Sequence, residues 1–112
     1  MSLLHLRLRA STLDQTRDRD YEICVLKVLF GFYGVTLAFG RHGQRGTYKN
    51  HTFDTKENAQ RFVFKTLQKR LSARRRIGCP YVLVEARVSE GEPLDFWVTT
   101  EQTERLTPTH PS

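Results

Sequence analysis

The chain is 112 residues long, 38% hydrophobic and 27% charged. That is one ordinary globular domain, and it excludes fibrous, wholly disordered and multidomain readings. Eighteen Lys and Arg outnumber twelve Asp and Glu for a formal net charge of +6, and the excess is concentrated: Arg41 to Arg76 holds eleven basic residues against only Asp54 and Glu57. A block of one sign draws polyanions, although a basic surface that only keeps a protein solvated has the same composition.

His5 to Arg9 alternates polar with apolar residues, the pattern of a half-exposed strand. The alternation begins at Leu4, so the N-terminus carries no signal-peptide core. The chain is therefore expected in the reducing cytoplasm. There Cys24 and Cys79 read as buried free thiols, with a bridge between them left open. Ser11 to Asp20 is a polar connector. Tyr21 to Leu29 is rich in β-branched and aromatic residues and reads as a strand. Glu22, Lys27, Gly31 and Gly34 break the stretch from Tyr21 to Phe39, so it falls short of the ~20 apolar residues of a membrane span, and no membrane partner is expected.

Gly31 and Gly34 bracket Phe32 and Tyr33 as a turn. Val35 to Phe39 is the next strand, Gly40 to Gly46 a loop with three glycines spaced three apart, and Thr47 to Phe53 a further strand. The connections are too short for crossover helices, so these strands form an antiparallel meander. Asp54 to Glu57 is a helix start, with Asp54 accepting from the amide three residues on and Glu57 reaching back. The helix is expected to run to about Arg74. Ala59, Phe62, Val63, Leu67 and Leu71 form its apolar stripe, and Arg61, Lys65 and Lys69 fall four apart on the opposite face. Gly78 and Pro80 end it. Tyr81 to Val88 is a last strand. From about Glu90 the chain is acidic, then Thr- and Pro-rich, and is expected to fray, unless Phe96-Trp97-Val98 docks on the domain. The expectation is an α+β domain over residues 1–88, a curved antiparallel sheet of about four or five strands packed against one long α-helix, with residues 89–112 as an acidic tail.

Three segments are candidates for function. Gly40-Arg41-His42-Gly43-Gln44-Arg45-Gly46 combines glycines, which let backbone amides approach a phosphate, with two arginines whose planar forks match phosphate oxygens. It is not a nucleotide P-loop, since no Gly-Lys-Ser/Thr follows at the required spacing. A hairpin whose glycines only turn the chain would look similar. The second segment is the basic helix face and its extension, Arg61, Lys65, Lys69, Arg70, Arg74, Arg75 and Arg76. Glu57 is the only acid nearby, and like charges four residues apart repel by a few tenths of a kcal/mol per pair. An anionic partner would use that repulsion; plain solvation would tolerate it. The third is Tyr48-Lys49-Asn50-His51, where an aromatic beside cations could stack on a base or a sugar, or simply pack.

Catalytic constellations are absent from the sequence. His5, His42, His51 and His110 are scattered without metal-ligand spacing. His42 could act as a base, but no visible residue orients it. No enzyme activity, cofactor or metal is expected.

Taken together, Tyr21-Glu22-Ile23, the run Val35 to Gly43, then Gly46, Phe53, and a helix carrying Ala59 and Phe62 before a basic run and Gly78 resemble the WGR family, over roughly residues 3 to 85. The likeness is greatest to the short standalone bacterial members. The family's Trp-Gly-Arg triplet stands here as Phe39-Gly40-Arg41. The resemblance implies a curved antiparallel sheet with a helix against it. In DNA-damage-responsive poly(ADP-ribose) polymerases this domain sits beside a DNA end, touching the backbone and neighbouring domains. By position, the family's contact residues become Phe39 and Arg41. Phe can pack on a sugar but lacks the indole donor, so the likeness implies backbone binding more than end recognition. No ADP-ribosyltransferase segment is present.

The sequence thus points to a nucleic-acid-binding module, DNA ahead of RNA, with contacts from Phe39, Gly40, Arg41, Arg45, Lys49, Arg61, Lys65, Lys69 and Arg74. The alternative is a protein-interaction adaptor beside a separate DNA-processing or regulatory protein, using an acidic tail that carries Phe96-Trp97; that tail could also fold back on the basic face and mask it. The oligomeric state is not legible.

Overall fold

The computed structural model describes residues 2–12, 18–72 and 80–107. Five strands, β1 (Ser2–Ser11), β2 (Asp18–Lys27), β3 (Tyr33–Arg41), β4 (Thr47–Phe53) and β5 (Val82–Val88), form one open antiparallel sheet in the order β4-β3-β2-β1-β5. The meander β2-β3-β4 is as expected. The helix α1 (Lys56–Leu71) then carries the chain back across the sheet, so that β5 pairs with β1 at the far edge. The α+β class follows from the periodicities: residues of one parity on each strand face α1, and every third or fourth residue of α1 faces the sheet.

The core lies between those two surfaces. Leu4, Leu6 and Leu8 of β1, Ile23 and Val25 of β2, and Val35 and Leu37 of β3 meet Ala59, Val63 and Leu67 of α1. At about 25 cal/mol per Å2 of apolar area buried, this layer is the main favourable term for the fold. The other face of the sheet is open. Its polar residues pair across strands: Arg9 donates to Asp18 at 2.8 and 2.7 Å, and Arg7 meets Glu22 at 3.4 Å and Glu85 at 3.2 Å.

Local details depart from the sequence reading. The strands extend further, so Gly40 and Arg41 belong to the end of β3 and pair with Asp20 and Arg19. The turn before β3 sits earlier than the two glycines imply. It is a short 3-10 turn over Leu29–Gly31, closed by Val28 N–H donating to the Phe32 carbonyl at 2.9 Å. Phe30 stands in the left-handed region at φ 64°. The N-cap of α1 is Thr55, which accepts from the Asn58 amide at 3.1 Å; Asp54, the expected cap, accepts instead from the Asn58 side chain. The helix stops at Leu71, where Ser72 caps it, three residues short of the expected end. Arg74, Arg75, Arg76, Gly78 and Cys79 lie outside the described residues.

The largest correction concerns the tail. Residues expected to fray from Glu90 form two short helices, α2 (Leu94–Trp97) and α3 (Thr100–Leu106), and Trp97 and Leu106 are fully buried in the core. Phe96-Trp97-Val98 docks, and the polar side chains that docking buries find partners. The Trp97 indole donates to Glu92 at 2.8 Å, and Lys56 reaches the same carboxylate at 2.6 Å. Lys56 holds the Glu92 carboxyl below its usual range against the opposing effect of burial. Gln102, itself buried, closes a capping box with Thr99 and donates to the Phe64 carbonyl at 3.3 Å and to Gln68 at 2.8 Å. A polar group so satisfied can enter a core without the usual penalty. Residues 108–112 lie outside the described residues.

Candidate nucleic-acid interface

The Gly40–Gly46 loop joins β3 to β4, and its backbone is held tightly. A Cβ on Gly46 would overlap the Phe39 carbonyl, and one on Gly40 would sit 2.9 Å from Gly46 Cα. At the tip, Gly43 has φ 80°, which favours glycine. His42 N–H donates to the Asp18 carbonyl at 2.8 Å, and its Nδ1 lies 2.6 Å from Asp20. The sequence offered nothing to orient His42; tertiary pairing supplies Asp20. The contact ties the loop to β2.

Strand alternation sorts the residues around this loop. Phe39 and Arg41 point to the α1 side, in line with Val35 and Leu37, and their cross-strand partners are Tyr21 and Arg19. The Phe39 ring stacks on Tyr21 with centroids 5.4 Å apart and planes 12° from parallel, and Tyr21 meets Tyr81 edge-on at 6.2 Å. Burial pushes the Tyr21 hydroxyl's pKa upward, so this ring stays neutral. The Arg70 guanidinium lies over Tyr21 at 4.5 Å and Tyr81 at 5.8 Å, and Lys49 approaches the Phe39 ring at 5.9 Å.

The result is a pair of adjoining hollows that share Tyr21, Phe39 and Arg70. One, of about 480 Å3, is lined also by Asp18, Arg19, Gly40, Arg41 and Tyr81. The other, of about 340 Å3, extends over Lys49, His51, Phe62 and Lys69. The floor is aromatic and the rim cationic. Asp18 is the one acid in these linings, and its carboxylate is held by Arg9, which also keeps it below its usual pKa. Arg19, Arg41 and Arg70 form no ion pair with the described residues, and Arg70 Nε is buried with no hydrogen-bond partner among them. Like charges directly opposite on neighbouring strands, as Arg19 and Arg41 are, disfavour the sheet unless an anion compensates them. A buried, unpartnered guanidinium donor is likewise costly unless a ligand accepts from it. Across the loop, a small hollow is lined by Asp20 and Glu22 together with Phe39, Gly40 and Arg41, so Arg41 borders both hollows.

Of the residues expected to contact nucleic acid, the fold brings Phe39, Gly40, Arg41, Lys49 and Lys69 into this groove. Arg45 is exposed on the loop beyond it. Arg61 and Lys65 are exposed on the outward face of α1 and do not line it, and Arg61 donates instead to Asn58 at 3.3 Å. Arg74 lies outside the described residues. Sequence reasoning missed Tyr21, Tyr81 and Arg19 as site residues, and counted Arg70 only as part of a basic run. A signal for Arg70 was present: it falls on the stripe of Ala59, Val63 and Leu67, where a cation is out of place unless its stem packs and its head reaches a groove.

The WGR domain model matches residues 5–75 of the 112. The chain belongs to the WGR family. No curated protein matches it closely enough to count as a relative. The WGR domain is a nucleic-acid-binding kind of module, which is what an aromatic floor with a cationic rim is chemically suited to. The match takes in β1 from His5, the meander, the Gly-Arg loop and α1, whereas β5 and the docked helices α2 and α3 lie beyond it. Among the described residues of this WGR protein, no helix is long and apolar enough to cross a membrane.

Proposed function

We propose that this WGR protein is a non-enzymatic module that binds double-stranded DNA through its phosphate backbone. The observation that carries the reading is the convergence of Arg19, Arg41 and Arg70, unpaired among the described residues, on the stacked rings of Tyr21 and Phe39. Arg41 and Arg70 offer planar forks to phosphate oxygens, and Lys49 adds a point charge. Phe39, with one face on Tyr21, presents the other to a sugar. Duplex DNA is favoured over RNA because the rim is an open groove of cations rather than a row of separate stacking platforms for splayed bases. The absence of visible base-edge readers predicts weak sequence preference. His42 serves the loop rather than a reaction, since its ring is engaged by Asp20.

The test is a fluorescence-anisotropy titration of a labelled blunt duplex at several salt concentrations, with an equal-length single strand as comparator. If about five phosphates are neutralised, log K should fall against log salt with a slope near −4 to −5. A duplex bound no better than the single strand would overturn the double-stranded assignment. No binding at low salt would overturn the whole reading.

A further inference from the structure

At the other end of β3 the molecule presents a feature that nucleic-acid binding does not use. The β2–β3 tip, Val28 to Phe32, is apolar throughout. Leu29 is 79% and Phe30 93% exposed, and Phe30 is held at φ 64° with no core contact. A bulky residue in the left-handed region is strained, and exposing its ring to water adds to that cost. The same chain also carries an apolar hollow of about 400 Å3 on the docked tail, with Leu94, Val98, Thr100 and Thr103 as walls and the exposed carboxylates of Asp95 and Glu104 completing the lining. Lys27, exposed at the end of β2, is the charged residue that precedes the tip in the chain.

We propose that this chain binds a second copy of itself by inserting the Leu29–Phe30 tip of one molecule into the tail hollow of the next. The knob and the hollow match in chemistry: an exposed aromatic side chain meets an open, apolar-walled hollow of about 400 Å3, and their contact removes apolar surface of both from water. Lys27 of the inserting copy then meets Asp95 and Glu104 of the receiving copy, which orients the contact. When both knobs insert reciprocally the interface is isologous and closes into a two-fold dimer; when they do not, it is heterologous and propagates head to tail. Each contact is small, so the association belongs to the weak class.

The experiment is sedimentation equilibrium on the full chain without nucleic acid, up to roughly 1 mM to cover weak affinities. Wild type is expected to rise above monomer mass as concentration increases. Phe30→Asp, at a side chain that is 93% exposed and outside the core, and Thr103→Arg, which fills the hollow and repels Lys27, should each weaken association at least about tenfold. Circular dichroism melts verify that both variants fold, and Thr100→Arg replaces Thr103→Arg if that one does not. Mixing the tip variant with the hollow variant should restore one-to-one pairs, since one copy keeps an intact tip and the other an intact hollow. A wild type that stays monomeric, a Phe30→Asp variant that associates like wild type, or a mixture that stays monomeric would each overturn the proposal. The first would leave another protein as the tip's occupant.

Discussion

The two connections of β3 are built to opposite chemical rules. The Gly40–Gly46 loop presses two backbones together, buries none of its cations in internal ion pairs, and stands beside a stacked aromatic floor. The Leu29–Gly31 turn, at the other end of a nine-residue strand and so roughly 30 Å away, has no charge of its own and leaves two large apolar side chains in water. One end stores unneutralised charge and the other unburied area. A single hairpin strand can therefore separate two recognition chemistries, provided the core between them is stable enough to support both penalties.

The sharpest way to break that comparison is at the charged end. Arg41→Ala with Arg70→Ala is expected to lower duplex affinity on the order of 30- to 100-fold at low salt and to flatten the salt slope by about two, while Phe30→Asp leaves both unchanged. An unaltered slope in the double variant would move the contact elsewhere, with the outward Arg61–Lys65 face the next place to look. Gly46→Ala tests whether the loop's close approach matters. Overlap with the Phe39 carbonyl should lower stability by about 1–3 kcal/mol in denaturant melts, with a smaller loss of DNA affinity, because the loop shifts but its cations remain.

Acid tests the ion pairs behind the two regions. Asp18 and Glu92 both have carboxyl pKa values lowered in the fold, by Arg9 and by Lys56 respectively. A lowered folded pKa contributes stability that is fully present above the unfolded value of about 4 and is lost as pH falls through the lower folded values. Thermal stability should therefore be flat from neutral pH to about 5 and fall below about 4. Glu92→Gln should shallow that fall. An equally steep decline in the variant would show that the tail's carboxylate carries none of it. The smallest effect is expected at the apolar tip. Phe30→Asn, which tolerates the left-handed backbone, should stabilise the monomer by up to about 1 kcal/mol, with DNA affinity unchanged. A loss of stability would mean that Phe30 packs on the domain in solution.

Much of this was legible in the chain before the fold. The alternation of Leu4, Leu6 and Leu8, the short connections of the meander, and the spacing of Ala59, Val63 and Leu67 are local patterns, and each reports which face an element buries. The cap one residue late, at Thr55 in place of Asp54, shows the limit of that reading: two adjacent residues can each accept from the backbone, and only packing chooses. The tail misled for a related reason. Its acids and threonines resemble a solvated segment until Glu92 and Gln102 find Lys56, Trp97, Phe64 and Gln68, partners from 5 to 38 residues away.

The site divides along the same line. The sequence by itself determined the α+β class, the glycine-arginine loop with Phe39 and Arg41 at its entrance, and the basic excess that names an anionic partner, because strand parity, helical period and charge are properties of neighbouring residues. Tertiary structure alone decided which cations remain available. It turned Arg70 onto Tyr21 while leaving Arg61 and Lys65 outward, set Arg19 opposite Arg41, and spent Arg7 and Arg9 on carboxylates of the open face. Cross-strand register and the rotation of a helix about its axis are set by the packing of the whole core, and no window of sequence contains them.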